Sequence, residues 1–297
     1  MMGHNHSHAA EQHITKPFIL GILLNAVFVT IEFIYGFASH SLSLVADAWH
    51  NLGDAAALAI SLLALRMADQ KPNPHFTYGY SKGTILASLA NGVLLLIAIG
   101  FIGYEAINRL IQPVLAEWGV MTVVAAIGIV INSSTALLFV HRNELNSKAA
   151  FLHMAADAGV SLAVVLGGIA LHFTGFIWID PIISIIICLV ILIGTWRLLK
   201  SSLSLSLDGV PDDISIDEIQ KVATSISGVL QIFHIHVWAV STTRNALTAH
   251  LLVESTLTEQ EIGAVKHALK HQLEHMNIQH ATLEVETKPN SHNTTCK

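Results

Sequence analysis

Charge is scarce in this chain. Only 12% of its 297 residues are Asp, Glu, Lys or Arg, against 53% that are hydrophobic, whereas soluble globular domains carry roughly twice that share of charge. The deficit argues against an ordinary water-soluble protein and for a chain whose solvent is largely a bilayer. No basic stripe or cluster is present and the net charge is −6, so nucleic acid has no electrostatic footprint to bind. Cysteine is nearly absent. Cys188 in an apolar run and Cys296 at the tail make neither a disulfide framework nor a CxxC zinc site. The HExxH string of a zinc hydrolase and the GxxxxGK[ST] loop of an ATP-driven pump are also missing, which argues against an intramembrane metalloenzyme and a primary pump. No organic cofactor is expected. Nor is a cleavable signal peptide, because the first apolar run starts near Phe18 after a polar leader without a cleavage site.

Histidine and long apolar runs are what the chain has instead. Its 18 histidines outnumber the 15 Lys plus Arg. Six apolar runs, at 18–39, 42–66, 84–107, 118–140, 149–173 and 180–197, approach or exceed the ~20 residues at ~1.5 Å each that span a bilayer as helix. His40-Ser41 is too short a link for anything but an antiparallel hairpin between the first two. Pro72, Pro74 and Gly79 mark a loop and Pro113 ends the third run. Glu105 and Arg109 are spaced as an i,i+4 pair. Asp180-Pro181 opens the sixth run as a cap followed by proline. Loops on the side of the termini hold Lys16, Arg66, Lys71, Lys82, Arg142, Lys148, Arg197 and Lys200, and the other side essentially only Arg109. The excess of positive charge puts both termini in the cytoplasm, in a protein of the inner (cytoplasmic) membrane.

From Asp208 the pattern changes to that of a soluble domain. Residues 213–227 read as a helix, 229–240 and 246–254 as strands, 258–276 as a helix opened by a Thr258–Glu261 capping box, and 281–287 as a strand. The order αββαβ predicts a small α+β domain with helices on one face of a sheet. The expected division is a disordered His-rich tail (1–16), a six-helix transmembrane domain (17–205), a cytoplasmic α+β domain (206–288) and a short tail (289–297). Imidazoles at the density of His4, His6, His8 and His13 can loosely hold a soft divalent metal.

Polar groups inside the apolar runs are the candidates for function, since ionisable residues at membrane depth are costly and normally face a protein interior or a wet cavity. His50 and Asp54 are four apart and Asp47 and Asp54 seven apart, so all three share a helix face. His153 and Asp157 repeat the His-x-x-x-Asp spacing in the fifth run. The two runs are antiparallel and both pairs lie ~10–20 Å from their own surface, so they can meet. Two imidazoles and two carboxylates make the tetrahedral N/O set that suits Zn²⁺ and offset its charge. Asn25, Glu32, Asp47 and Asn132 are candidates to line the same cavity, with Glu32 alternatively bonding a neighbouring helix. In the soluble domain His234, His236, His250, His280, Glu284 and Glu286 are the metal-ligating candidates. His234 and His236 are two apart on a strand and so share a face, as do Glu284 and Glu286. The stripe His267, His271, His275 reads as a solvated helix face, with metal binding as its alternative.

These residues resemble those of the cation diffusion facilitator family, of the bacterial zinc-exporting kind. The resemblance rests on the stretch 46–54, the His153/Asp157 pair, Tyr78-Gly79-Tyr80-Ser81-Lys82, Leu207-Asp208-Gly209-Val210-Pro211 and His236-Val237-Trp238. It implies a homodimeric, proton-coupled antiporter that exports Zn²⁺, with Cd²⁺ and Co²⁺ as further substrates, and a cytoplasmic domain resembling a metallochaperone. His50, Asp54, His153 and Asp157 would be its transport site, with histidine at position 50 as in zinc-selecting members. Lys82 and Asp208 match a charge pair linking its two halves, and metal bound in the cytoplasmic domain would draw on the first strands and the end of the last. Some members bind metal in the loop before the third span through a histidine where this chain has Tyr80, which leaves His75 little support. The alternative function is a proton-independent metal channel or facilitator.

Overall fold

The computed structural model describes residues 11–68, 72–137 and 145–287, without the side chains of 11–22, 24, 57–58, 61–68, 135–137 and 145–154. The first part is six long helices: α1 Glu11–Ala38, α2 Leu42–Ala68, α3 Gly83–Ile111, α4 Trp118–Leu137, α5 Leu145–Thr174 and α6 Ile179–Ser206. Three stretches, Gly83–Ile111, Ala155–Thr174 and Ile179–Ser206, are long and apolar enough to cross a membrane. Helix α1 begins at Glu11, so residues 11–16 are not part of a disordered tail as expected; once a helix is nucleated, each added residue gains a hydrogen bond cheaply. The other tail histidines, His4, His6 and His8, and the tail from residue 289 lie outside the described residues.

Burial is inverted relative to a soluble protein. Phe101, Ile193 and Val130 are exposed by 72%, 60% and 64%, while Glu32 and Asp47 are fully buried. Apolar surface of this extent opposes exposure to water and suits hydrocarbon.

Two compact units divide the chain: residues 1–60 with 91–196, and residues 61–90 with 197–297. Residues 61–90 are grouped with the C-terminal part in this division. Lys82 Nζ lies 2.6 Å from Asp208 Oδ1, Thr242 N donates to Thr84 Oγ1, and the Tyr78 ring meets the His280 ring edge-on at 5.7 Å.

In the first unit, Leu42 and Ala46 pack with Ile99, Ile102, Met121, Ala125, Val164 and Ile187 in one core. Phe28, Leu44 and Val124 form another. Gly128 lets helices close up: a Cβ there would sit 2.6 Å from Phe28 Cζ and 3.0 Å from Ser161 Oγ. Asp180 departs from expectation. Helix α6 starts one residue ahead of it, and its carboxylate caps α2 instead, accepting from Leu42 N (2.7 Å), Ser43 N (3.1 Å), Ser41 Oγ (2.9 Å) and Ser43 Oγ (2.6 Å). It satisfies N–H groups that the first turn of α2 cannot bond internally and lies at the positive end of that helix. Arg109 bonds Glu105 at 3.0 Å, as its spacing predicts, and also donates to the His40 carbonyl.

The second unit holds α7 Ile216–Thr224, β1 Val229–Ser241, β2 Arg244–Val253, α8 Glu259–His275 and β3 Ile278–Glu286. The sheet order is β1-β2-β3, with β1/β2 antiparallel and β2/β3 parallel. Alternate residues of β2, Leu247, Ala249, Leu251 and Val253, pack with Ile219 and Ala223 of α7 and Val265, Leu269 and Leu273 of α8, so the helices cover one face, as the αββαβ pattern predicts. The Thr258–Glu261 capping box forms, and its backbone hydrogen bond from Thr258 holds the Glu261 carboxyl below its ordinary value.

Candidate metal centres

The His-x-x-x-Asp motif of α2 brings its residues together because of helical spacing. One turn of α2 stacks His50 over Asp54, and α5 presents Asp157 to the same point. His50 Nε2 lies 3.1 Å from Asp157 Oδ1 and 3.7 Å from Asp54 Oδ2, and one ligand atom from each residue fits within 4.8 Å of the others. Two ligands of a tetrahedral Zn²⁺ with bonds of ~2.0–2.1 Å stand ~3.3 Å apart, so these separations bracket the required one. Asp157 is buried and the other two are partly accessible. His153 is four residues before Asp157 on α5; its side chain lies outside the described residues.

A buried polar network adjoins this cluster. Asn51, next to His50, donates to Glu32 Oε2 at 2.9 Å. Ser161, one turn beyond Asp157, donates to Asp47 Oδ2 at 3.0 Å. Through the bond from Asn51, Glu32 joins a neighbouring helix, as one of its two expected readings had it. Asn25 and Asn132 are buried but are not among the clustered ligands. Asn51 and Ser161 were legible only as polar residues; their partners depend on how α1, α2 and α5 pack.

The second cluster sits on the sheet face away from the helices. His250 of β2 pairs across from Glu284 of β3. Its Nδ1 lies 2.6 Å from Glu286 Oε1 and its Nε2 3.6 Å from Glu284 Oε2. Glu284 and Glu286 share a face as expected. The alternation expected to align His234 with His236 is interrupted by a bulge: Phe233 opposes His250 and His236 opposes Thr248, with His234 in left-handed backbone (φ 49°). A bulge re-aims side chains. The His234 ring lies 5.2 Å from the His250 ring, whereas His236 lines a separate cleft with Tyr78, Lys82, Asp208 and Trp238. His280 packs on Tyr78, away from His250. His267, His271 and His275 are exposed, opposite the buried Val265, Leu269 and Leu273. Among the described residues no cluster of ligands gathers at His75.

Comparison with known proteins matches residues 18–205 to the cation efflux transmembrane domain and residues 211–288 to the cation efflux protein cytoplasmic domain. Among similar proteins, the "Cadmium, cobalt and zinc/H(+)-K(+) antiporter" of Bacillus subtilis (strain 168) is 32% identical over 98% of this chain and 94% of its own length. "Zinc transporter ZitB" of Pectobacterium atrosepticum is 35% identical over 96% and 89%. "Metal cation efflux system protein CzcD" of Cupriavidus metallidurans is 35% identical over 97% and 92%. With both halves matched in sequence order, and with a histidine–carboxylate cluster inside its apolar helices, this chain belongs to the cation efflux family.

Proposed function

We propose that this chain is a proton-coupled antiporter that exports Zn²⁺ from the cytoplasm, with Cd²⁺ and Co²⁺ as further substrates, by alternating access. The observation that carries the reading is the convergence of His50, Asp54 and Asp157 from two helices of an apolar-surfaced unit. Relatives named for zinc, cadmium and cobalt efflux support the substrate class, and one named as an antiporter supports the coupling. The family consists of transporters rather than enzymes.

The coupling follows from ligand chemistry. Imidazole nitrogen and carboxylate oxygen bind metal only after losing their protons, so protons and Zn²⁺ compete for one site. His50 Nε2 faces Asp157 Oδ1 and Asp54 Oδ2, a position that a proton and Zn²⁺ would occupy in turn. His153 completes the ligand set in this reading. Helices α1–α6 all span the inner membrane, both termini lie in the cytoplasm, and the chain works as a homodimer, a state supported by its match to the family's cytoplasmic domain. The cytoplasmic cluster would hold a resident Zn²⁺ through His250, Glu284 and Glu286. In support, Glu286 Oε2 is buried without a hydrogen-bond partner, as a carboxylate oxygen reserved for a cation would be. The charge of that ion would hold the edge of the sheet together.

The test is simultaneous measurement of zinc and proton flux in liposomes containing the purified full chain. Zinc accumulation driven by an imposed pH gradient, with opposite proton movement, is the expected result. Zinc flux indifferent to that gradient would sink antiport and favour the channel reading.

A further inference from the structure

A second carboxyl pair is buried beside the metal ligands. Glu32 of α1 and Asp47 of α2 are fully buried, and their carboxyls contact each other. Each has one oxygen engaged, by Asn51 and Ser161 respectively. The remaining oxygens, Glu32 Oε1 and Asp47 Oδ1, are buried and accept no hydrogen bond from any donor. Two ionised carboxylates in contact within a low-dielectric interior repel too strongly to coexist. A single proton shared between them removes the repulsion and supplies the missing partner.

Among the described residues, His50 is the group able to bring positive charge to bear on the pair. No Lys or Arg is among the buried residues described, and α4, which packs on α1, has no titratable residue in its length. Helix α2 contributes His50 and Asp54, and α5 contributes Asp157; of these, His50 and Asp157 interact electrostatically with Asp47. Charge at the metal site therefore acts on the pair. With the site empty, a proton on His50 opposes and Asp157 favours retention of the proton on the pair; Zn²⁺ brings two positive charges to the site in exchange for that one on His50 and so favours its departure.

We propose that Glu32, paired with Asp47, is a proton-binding site of the transport cycle separate from the metal ligands. Zn²⁺ binding breaks the O–H bond of the shared proton, which leaves to water, and release of Zn²⁺ allows it to be taken up again. The proposal rests on the antiport reading above.

The experiment compares the full chain with Glu32→Gln in liposomes, by proton-to-zinc ratio and by the infrared carbonyl band of protonated carboxyl groups on adding Zn²⁺. Wild type should lose such a band when Zn²⁺ binds. Glu32→Gln should lack the change, still bind Zn²⁺, and move one proton fewer per ion. The zinc gradient sustained by a one-unit pH difference then falls about tenfold. An unchanged ratio together with an unchanged band overturns the proposal. If Glu32→Gln does not fold, Asp47→Asn removes the other half of the pair and must give the same loss; a full ratio there is equally fatal. Wild-type zinc flux without proton movement would overturn the antiport reading as well, and that outcome is distinct from coupled wild-type flux with an unaltered variant.

Discussion

His50, Asp54 and Asp157 come from two helices joined to each other only by side-chain packing, whereas His250, Glu284 and Glu286 come from two strands locked in register by backbone hydrogen bonds. Both groups present one imidazole and two carboxylates. The scaffolds, however, permit different behaviour. Helices can tilt against one another and separate their ligands, so a cluster shared between them can form and break within a cycle. Paired strands cannot shift without a whole-residue slip, so a cluster shared between them persists. The contrast suits the proposed roles, turnover for the first group and lasting occupancy for the second.

The largest expected effect tests the first half of that contrast. Asp157→Asn keeps the shape of the side chain but leaves a loaded site with uncompensated positive charge in a poor dielectric. Zinc binding should weaken roughly 100-fold or more and exchange should stop, while the protein still assembles; calorimetry and liposome flux read both. Retained exchange would falsify the assignment. His50→Asp should come next, replacing a borderline nitrogen with a hard oxygen ligand. Preference for Zn²⁺ over Mn²⁺ should drop about tenfold, measured by competition transport, and an unchanged preference would mean that His50 does not set selectivity.

On the other side of the comparison, Glu286→Gln should weaken zinc at the cytoplasmic cluster at least ~10-fold and reduce the zinc bound per chain. Maximal transport should persist with apparent affinity shifted a few-fold at most. A complete loss of transport in a folded variant would erase the distinction between the two clusters. The smallest effect lies in the strand-bearing unit's second helix. Glu261 ionises more readily in the folded protein than its ordinary value of 4.5. Its contribution is therefore present above that value and lost as pH falls below it. Hydrogen exchange at the start of α8 should show protection that declines with acid in wild type and stays flat in Glu261→Gln.

Features governed by local periodicity were legible in the sequence. Four-residue spacing fixes a helix face, so His50 with Asp54 could be read as one surface, and Thr258 with Glu261 as a cap. Two-residue spacing served for Glu284 and Glu286 but misled for His234 and His236, because a bulge at His234 leaves no composition signal. Asp180 shows the other limit. Its motif named a helix start correctly, yet the N–H groups it caps belong to α2, far away in sequence, and only tertiary packing chooses between them. The partners of Glu32 and Asp47 were hidden for the same reason.

That Asp180 cap turns α2 into a lever. Four hydrogen bonds pin the end at Ser41–Ser43, and His50 and Asp54 stand some 8 to 12 residues along, or ~12–18 Å at 1.5 Å per residue. Swinging the helix about its pinned end by about 10° displaces the ligands by roughly 2–3 Å. That stroke is comparable with the 3.1 Å separating His50 from Asp157, so a modest tilt from a fixed fulcrum is enough to part the two sides of the site.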